Sequence, residues 1–249
     1  MLKEKVKTAI ERIKTFESPE KLYCAFSGGK DSIVIKTLLS MSGVHYDSHY
    51  NNTTIDPPEL VRFIRKHHSD VEIIKPKEPF LKRLVYKGFP LRQARWCCEE
   101  FKEGGGEGRI VVTGIRWAES TQRKNRKMVE QCLRSANKRY LNVIIEWTDA
   151  DVWNFIRGEG LPYCGLYDEG WKRLGCIMCP MSGKTRVWEA ERYPKYKRAF
   201  IKAFDRLYAK KKSEGKTTCD RWSSGEDMFY WWLYEKKYEQ YKAQPVLFE

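Results

Sequence analysis

The stretch SGGKDS, from Ser27 to Ser32, contains the residue types of an anion-binding site. Gly28 and Gly29 allow a sharp turn and a close approach of the backbone to a ligand. The amide groups of a following helix then point at the anion, and the helix dipole favours negative charge there. Lys30 adds a positive charge, and the two serine hydroxyls add donors. The stretch therefore predicts a phosphate-binding loop.

Asp31 is the acidic member of this loop. A carboxylate beside a phosphate is repulsive unless a divalent cation lies between them, so we interpret Asp31 as a Mg²⁺ partner. Lys30 and the loop amides are placed to stabilise negative charge that develops on a phosphate. Lys30 and Asp31 are accordingly predicted to be catalytic. The alternative is a glycine turn that merely ends a strand.

The order of residues in the loop distinguishes it from a Walker loop, which has four residues between its glycines and ends in GK[ST]. Here the glycines are adjacent, and Asp31 separates Lys30 from Ser32. The stretch resembles the PP-loop of the ATP-pyrophosphatase superfamily, whose members cleave ATP between the α- and β-phosphates. The resemblance implies that Ser27–Ser32 bind ATP or a related adenine nucleotide with Mg²⁺.

Four cysteines form a second group with chemical potential. Cys97 and Cys98 are adjacent, and Cys176 and Cys179 form a CxxC pair. A CxxC brings two sulfurs close together, and a second pair completes a set of four thiolates for zinc or a [4Fe–4S] cluster. Adjacent cysteines converge only in a turn or at a helix start. Spacing alone leaves zinc, the cluster and unligated buried cysteines open.

Cations flank the adjacent cysteine pair, at Arg92, Arg95 and Lys102. Positive charge beside a thiol lowers its pKa and attracts an anionic substrate. Solvated surface cations would look the same in the sequence, so both interpretations remain open.

A third candidate segment is TGIRWAES, from Thr113 to Ser120, which follows a strand-like run. Arg116 comes soon after Gly114 at the predicted strand end, where a guanidinium can bind a phosphate or sulfate in a bidentate manner. We predict that Arg116 is catalytic and that both residues contact the nucleotide. Glu119 and Arg123 are four apart and suit an ordinary ion pair on a helix surface.

The elements that position these groups alternate between strands and helices. Strand-like runs cover about residues 22–26, 44–50, 71–74, 109–113 and 141–146. This alternation predicts an α/β fold with a doubly wound, mostly parallel sheet, whose ligands bind at the carboxyl ends of the strands. After Pro180 the chain becomes helical, basic and aromatic. We therefore predict a nucleotide-binding domain at 1–180 and a helical appendage at 181–249.

Composition limits the class of protein. The chain has 47 Lys and Arg against 33 Asp and Glu among 249 residues, a formal net charge of +14. This excess predicts polyanionic partners, either nucleotides or nucleic acid, although a lysine-rich surface is the plainer explanation. The sequence shows no apolar run long enough for a membrane span and no apolar signal segment, and we expect a cytoplasmic protein.

Further stretches resemble the phosphoadenosine phosphosulfate (PAPS) reductase family. They are NNTTIDPPEL after the second strand, TGIRWAES, and LPYCGLYDEGWKRLGCIMCP, which ends in the CxxC. The CC and CxxC pairs resemble the cluster pattern of assimilatory adenylylsulfate reductases and of the sulfur-transfer enzymes of DNA phosphorothioation. The resemblance implies a PP-loop α/β fold, favours a [4Fe–4S] cluster over zinc, and supports adenine or ribose contacts by Asn52 and Thr53.

Two departures from the reductases shape the functional hypothesis. This chain lacks their C-terminal ECGLH-type cysteine motif, with Cys219 as the sole cysteine after the CxxC, and it keeps a full SGGKDS. Both favour ATP cleavage with adenylyl transfer, coupled to iron–sulfur-dependent sulfur transfer. Such a reaction would need a sulfur donor or an electron-donor protein, and nucleic acid is a candidate substrate.

Two other functions remain open at this stage. A thiol-dependent reductase would release sulfite from PAPS or adenylylsulfate and would need Cys219 as its mobile thiol. A nucleic-acid-binding module would use the net charge and the aromatic residues of the tail, Trp231, Tyr234, Tyr238 and Tyr241, with Lys236, Lys237 and Lys242 nearby. The same aromatic spacing also fits a helix that packs on a core.

Overall fold

The computed structural model describes residues 1–133, 135–235 and 238–239. The chain divides into two compact units, each built from separate segments. The first unit comprises Met1–Asn52, Pro57–Lys75 and Gly104–Gly175. The second comprises Thr53–Asp56, Pro76–Glu103 and the chain from Cys176 onward.

A six-stranded sheet forms the centre of the first unit. Its strands are β1 (Leu22–Ala25), β2 (Tyr46–Asn51), β3 (Glu72–Ile74), β4 (Ile110–Thr113), β5 (Val129–Gln131) and β6 (Arg139–Asn142). Their order across the sheet is β3-β2-β1-β4-β6-β5. All neighbours are parallel except β5 and β6, which are antiparallel. The predicted mostly parallel α/β sheet is confirmed.

The α-helices of the described residues follow the chain in the order α1 (Leu2–Thr15), α2 (Lys30–Ser42), α3 (Pro58–His67), α4 (Phe80–Lys87), α5 (Trp96–Phe101), α6 (Asp149–Gly158), α7 (Thr185–Arg192), α8 (Pro194–Ser213) and α9 (Gly225–Tyr234). Helices α1, α2, α3 and α6 belong to the first unit, and the other five to the second. None of the helices in the described ranges is long and apolar enough to cross a membrane.

Helix α2 lies in the core of the first unit. Its apolar residues Ile33, Val34, Ile35, Leu38 and Leu39 are all at most 1% exposed. A helix with apolar residues on most of its surface is stable only when other elements cover it. Helices α1 and α6 and the strands β1 and β4 contact α2. This burial fixes the start of α2, and with it the position of the loop.

Strand order creates a switch point in the middle of the sheet. The chain runs from β1 outward through β2 and β3, and then returns to place β4 on the other side of β1. In open α/β sheets ligands bind outside the carboxyl ends of the strands at such a point. SGGKDS follows β1, and the segment with Arg116 follows β4, so both candidate stretches begin at this edge.

The structure corrects the last predicted strand. It covers Arg139–Asn142 instead of residues 141–146. Val143, Ile144 and Ile145 are at most 2% exposed but form turns, so their apolar character marks burial and not strand pairing. The short strand β5, with the sequence VEQ, escaped prediction because three largely polar residues give no periodic signal.

The second unit is helical in the described residues and has an aromatic core. Phe200 and Phe204 of α8 face Phe229 and Trp232 of α9, with ring centroids 5.4–6.5 Å apart, and Phe80 of α4 lies 5.9 Å from Phe200. The helical segment after residue 180 lies in this unit, together with 53–56, 76–103 and 176–180. The domain division at residue 180 stays a prediction.

The aromatic residues of the tail are only partly described. Trp231 lies 5.2 Å from Trp222 and 5.9 Å from Phe89, between ring centroids, so it packs within the second unit. Tyr241, Lys236, Lys237 and Lys242 lie outside the described residues.

Candidate phosphate-binding loop and four-cysteine site

The turn between β1 and α2 depends on Gly28. Its φ of +72° lies in the left-handed region, and a Cβ there would come within 2.7 Å of Leu60 and 2.8 Å of Ile64 on α3. Both the backbone conformation and the lack of space therefore require glycine. The close packing on α3 holds the loop against the first unit's core.

The amides at the start of α2 have partners that sequence reasoning did not foresee. The Lys30 amide donates to the Tyr167 hydroxyl at 2.9 Å, and the Gly29 amide lies 3.4 Å from the Ser27 hydroxyl. The Ser32 hydroxyl donates to the Gly29 carbonyl at 2.8 Å. Amides of a first helical turn lack partners within the helix, so a hydroxyl can occupy positions that an anion oxygen would take.

Two cations and two carboxylates close into a ring beside the loop. Arg116 Nε lies 2.7 Å from Asp31 Oδ1, and Arg116 Nη2 lies 2.7 Å from Asp149 Oδ1. Lys30 Nζ lies 3.3 Å from Asp31 Oδ2 and 3.5 Å from Asp149 Oδ1. The structure thus brings together the three predicted catalytic residues, Lys30, Asp31 and Arg116, and adds Asp149.

The two cations of this ring are buried and the second acid is not. Lys30 is 7% and Arg116 1% exposed, whereas the Asp149 side chain is 70% exposed. Burial alone would lower the pKa of Arg116, but the charges of Asp31 and Asp149 outweigh it and raise that pKa. Burial likewise opposes ionisation of Asp149, while the hydrogen bond from Arg116 and the charge of Lys30 lower its pKa. Arg116 and Asp149 are therefore both charged at neutral pH.

Gly114 allows the end of β4 to approach the start of α2. A Cβ at this position would come within 2.9 Å of the Asp31 Cβ and 3.0 Å of its backbone carbonyl carbon. Backbone atoms cannot move aside as a flexible side chain can, so the position excludes larger residues. The close packing of Gly114 on Asp31 places the nearby Arg116 next to the Asp31 carboxylate. The nucleotide contact predicted for Gly114 stays a prediction.

Asp149 and Tyr167 are the site residues that sequence reasoning missed. Asp149 lies in the first turn of α6, behind a capping box formed by Thr148 and Asp151. The TxxD spacing is a recognisable helix start, but it gives no sign of which loop that start will face. Tyr167 follows a segment of irregular structure, and nothing local indicates its bond to Lys30.

The second candidate site is a pocket in the second unit. All four predicted ligands, Cys97, Cys98, Cys176 and Cys179, line it, and so does Lys102. Its remaining walls are largely apolar and include Phe80, Phe101, Phe200 and Trp232. Residues from three separate chain segments therefore place the thiols around one space.

Local structure explains how each cysteine pair converges. Cys97 and Cys98 lie in the first turn of α5, and a helix start is one of the two arrangements that allow adjacent cysteines to converge. The CxxC forms a turn in which the Cys179 amide donates to the Cys176 carbonyl at 3.3 Å. Met178 in this turn has a φ of +57°, which is unusual for a side chain with a Cβ. Its amide donates to the buried Glu189 carboxylate at 2.6 Å, and this bond holds the turn.

The two adjacent thiols differ in acidity. The hydrogen bond from the Cys97 thiol lowers the pKa of Cys98 to about 6, with further lowering by Lys102 and Arg95, and raises the pKa of Cys97. Arg95 Nη1 lies 3.9 Å from the Cys98 sulfur. Two of the three cations predicted to act on the thiols, Arg95 and Lys102, do lie beside them. Arg92 instead faces Glu235, at 3.5 Å.

Cys176 is held as a neutral thiol. Burial raises its pKa to about 11 against the opposing charge of Lys102. Its thiol lies 3.4 Å from the Thr53 hydroxyl. The Cys176 thiolate would in turn raise the pKa of Lys102, but at neutral pH a protonated Cys176 contributes no such charge. Lys102 is therefore an ammonium group beside a thiol.

The donor set has the chemistry of a thiolate metal site. Four thiols around one pocket are the ligands used by structural zinc and by [4Fe–4S] clusters. Among the described residues, no group of three or more His, Cys, Asp or Glu side chains is arranged to hold a metal ion. The residues fit such a group by type and by shared location, and their assignment as ligands stays a prediction.

The nucleotide contacts predicted for Asn52 and Thr53 stay predictions, and the two residues belong to different units. Asn52 directly follows β2 in the first unit, and its backbone amide donates to the Ile74 carbonyl at 3.0 Å. Thr53 belongs to the second unit, and its amide donates to Asp56 at 2.8 Å. The Thr53 hydroxyl accepts a hydrogen bond from the Cys176 thiol. The position of Thr53 after a strand gave no indication of this contact.

Cys219 is fully buried. It is 0% exposed, and its thiol donates to the Lys216 carbonyl at 3.0 Å. It lies in the short 3₁₀ turn Thr217–Cys219 at the end of α8. A thiol in this environment is not presented to a substrate in this conformation.

Comparison with known proteins adds a family and a fold. The model of the phosphoadenosine phosphosulfate reductase domain matches residues 21–182. An uncharacterised protein of Methanocaldococcus jannaschii is 30% identical over 231 residues, which are 84% of this chain and 45% of that protein. The adenosine 5'-phosphosulfate reductase of Staphylococcus epidermidis is 26% identical over 204 residues, 72% of this chain and 79% of that enzyme. The chain spans less than half the length of the first relatives it matches.

Two solved structures share the fold. The PAPS reductase of Candida auris, in a phosphate complex, aligns with a TM-score of 0.51 at 20% identity, covering 70% of this chain and 93% of that one. The FMN adenylyltransferase of Candida glabrata, with FAD and inorganic pyrophosphate, aligns with a TM-score of 0.52 at 17% identity, covering 71% and 64%.

Proposed function

Because the chain belongs to the phosphoadenosine phosphosulfate reductase family, we propose that it binds ATP or a related adenine nucleotide at Ser27–Ser32. In this proposal it cleaves the nucleotide at the α-phosphate, releases pyrophosphate, and couples this step to iron–sulfur-dependent sulfur transfer. The observation that carries the proposal is the ring of Lys30, Asp31, Arg116 and Asp149 at the start of α2.

The ring is neutral overall and would rearrange when a nucleotide binds. Asp31 and Asp149 can turn to a Mg²⁺ ion that accompanies the phosphates, since carboxylates are the ligands this ion prefers. Lys30 and Arg116 are then released from the carboxylates to face phosphate oxygens. Both are already buried, so their attraction for the developing charge is weakened little by water.

The proposed reaction begins with the transfer of an adenylyl group from ATP to an acceptor. An acceptor oxygen attacks the α-phosphorus, the bond from that phosphorus to the bridging oxygen breaks, and pyrophosphate leaves with the electron pair. A sulfur nucleophile then displaces AMP from the activated acceptor. Lys30, Arg116 and the loop amides stabilise the leaving pyrophosphate. A [4Fe–4S] cluster held by Cys97, Cys98, Cys176 and Cys179 would position the substrate or take part in the sulfur transfer.

Product analysis tests this proposal. Anaerobically purified protein is incubated with isotope-labelled ATP, and the nucleotide and phosphate products are separated. We expect AMP and pyrophosphate, and we expect Lys30→Met to abolish their formation. ADP and phosphate as products would contradict cleavage at the α-phosphate.

The second candidate is a thiol-dependent sulfonucleotide reductase that releases sulfite. The named relative from Staphylococcus epidermidis, an adenosine 5'-phosphosulfate reductase, favours it. The reaction would require Cys219 to leave its buried bond to Lys216. Sulfite release from adenylylsulfate or PAPS that disappears in Cys219→Ser would support this candidate, and undiminished release would contradict it.

A further inference from the structure

Helix α8 carries a row of exposed cations along one face. Lys195, Arg198, Lys202 and Arg206 are all exposed. At about 100° per residue they lie within about 80° of one another, and at 1.5 Å per residue the row is about 16 Å long. The opposite face is buried, with Phe200, Ala203, Phe204 and Leu207 as its core residues.

These four cations lack counter-charges within the described part of the chain. None of them forms an ion pair or a side-chain hydrogen bond there. At the other end of α8, by contrast, Lys210 pairs with Glu214 at 3.2 Å and Lys212 with Asp220 at 2.6 Å. Asp205, the acidic residue of the helix, stands at the edge of the row. The row is therefore a concentrated positive field that suits an extended polyanion.

The packing of α8 distinguishes a nucleic acid from a membrane. A helix that binds a membrane inserts an apolar face between the lipids, but the apolar face of α8 is already buried in the second unit. The preceding helix α7 contacts α8 and carries Trp188, which is 43% exposed. The Arg192 guanidinium lies 5.7 Å from the Trp188 ring. An exposed aromatic ring beside a cation is suited to stack a nucleic-acid base.

We propose that the cationic row of α8, Lys195, Arg198, Lys202 and Arg206, binds the phosphate backbone of a nucleic-acid strand, and that Trp188 stacks on a base. The row supplies affinity that depends on charge and not on sequence. The inference rests on α7 and α8 alone and is independent of the nucleotide chemistry proposed for Lys30 and Arg116.

Fluorescence anisotropy with labelled oligonucleotides of about 20 nucleotides, as single strands and as duplexes, tests this assignment. One variant replaces the four cations of the row by Gln. A matched control replaces Lys3, Lys7, Lys14 and Lys66, which are also exposed, so both variants lose the same charge. Circular dichroism verifies folding, and a Lys195→Arg, Lys202→Arg variant retains the charge of the row.

We expect the row variant to bind a single strand at least tenfold more weakly at about 0.1 M salt. Its plot of log affinity against log salt concentration should be shallower by about 3, since each phosphate contact contributes about 0.7. The control and the Lys-to-Arg variant should bind within twofold of the wild type, and Trp188→Ala should weaken single strands more than duplexes. The proposal would be overturned if the row variant and the control lost nucleic-acid affinity equally, or if neither lost any. It would also be overturned if the row bound anionic phosphatidylserine vesicles as tightly as it binds nucleic acid. Pyrophosphate release should be unchanged in the row variant.

Discussion

At the scale of single residues, the chemistry proposed for the loop depends on two cations, Lys30 and Arg116, that are buried next to carboxylates. Lys30 and Arg116 now form ion pairs with Asp31 and Asp149. To bind a phosphate, the two cations must release these carboxylates. The identity of Lys30, Asp31 and Arg116 as neighbours was predictable from SGGKDS and TGIRWAES, because each follows a parallel strand at the same sheet edge. Asp149 and Tyr167 were not predictable, since their contacts join positions far apart in the chain.

The role of Arg116 leads to a mutational prediction. Arg116→Gln removes a cation that bridges two carboxylates, and we expect kcat/KM for pyrophosphate release to fall by about 100-fold, or about 2.7 kcal/mol. Arg123→Gln is the control from the same segment, because Arg123 forms a partly exposed pair with Glu119 that contributes little. Comparable losses in both variants would show that the ring has no special role.

Gly28 gives a second prediction, on stability. Gly28→Ala introduces both a left-handed alanine and contacts under 3 Å with Leu60 and Ile64, and we expect a loss of about 2–5 kcal/mol in urea unfolding. Gly43→Ala is matched, since Gly43 has the same φ of +72° and no atom lies within 4 Å of the place that its Cβ would take. It should lose only about 1–2 kcal/mol. Equal losses would mean that close packing on α3 is unimportant.

At the scale of elements, some boundaries were predictable from local sequence patterns, and others depend on burial and on distant contacts. The loop between β1 and α2 followed from a local pattern. For the adjacent cysteines the sequence left a turn or a helix start open, and the structure has the helix start. The end of β6 did not follow from a local pattern, because Val143–Ile145 are as apolar as a strand and yet form a buried turn. The CxxC turn has a left-handed Met178 that only the distant Glu189 explains, and no local signal marks such a partner.

The end of α3 gives a prediction on pH. Burial, together with the charge of Lys36, lowers the pKa of His68 to about 4. Between about pH 6.5 and pH 4 the unfolded chain therefore binds a proton at His68 that the native state does not. The free energy of unfolding should fall as pH falls through this range, by up to about 3 kcal/mol from this residue.

Urea unfolding across that range measures this contribution. His68→Gln should remove it and flatten the pH dependence, whereas His67→Gln changes an exposed neighbour and should leave the dependence as in the wild type. A His68→Gln profile parallel to that of the wild type would contradict the assignment.

Glu189 allows a test of the cysteine turn. We expect Glu189→Ala to weaken metal or cluster retention by about 10–100-fold, because the Met178 amide loses its acceptor and the turn relaxes. Glu189→Gln keeps an acceptor oxygen and should retain iron or zinc at nearly the wild-type level. Metal analysis with anaerobic visible spectra gives the readout. Full retention in Glu189→Ala would show that the turn does not depend on this bond.

At the scale of the whole molecule, the fold class was predictable and the division into units was not. Alternating strands and helices implied a mostly parallel sheet, as observed, and the two candidate stretches follow its strands β1 and β4. The second unit, however, takes short pieces from the middle of the chain, at 53–56 and 76–103. These segments belong to the second unit because of contacts between residues far apart in the chain, such as Phe80 and Phe200. Sequence composition does not reveal such contacts. The cationic row of α8 likewise emerges only when the buried face of the helix is known.

The central claim is that Ser27–Ser32 bind the phosphates of an adenine nucleotide, and equilibrium binding tests it without any acceptor or cluster. Calorimetric titration with Mg-ATP, pyrophosphate and AMP is compared between the wild type and Lys30→Met. We predict that pyrophosphate competes with ATP, and that Lys30→Met weakens both at least tenfold while AMP binding changes much less. Equal affinity for ATP and AMP, with no effect of Lys30→Met, would contradict the claim.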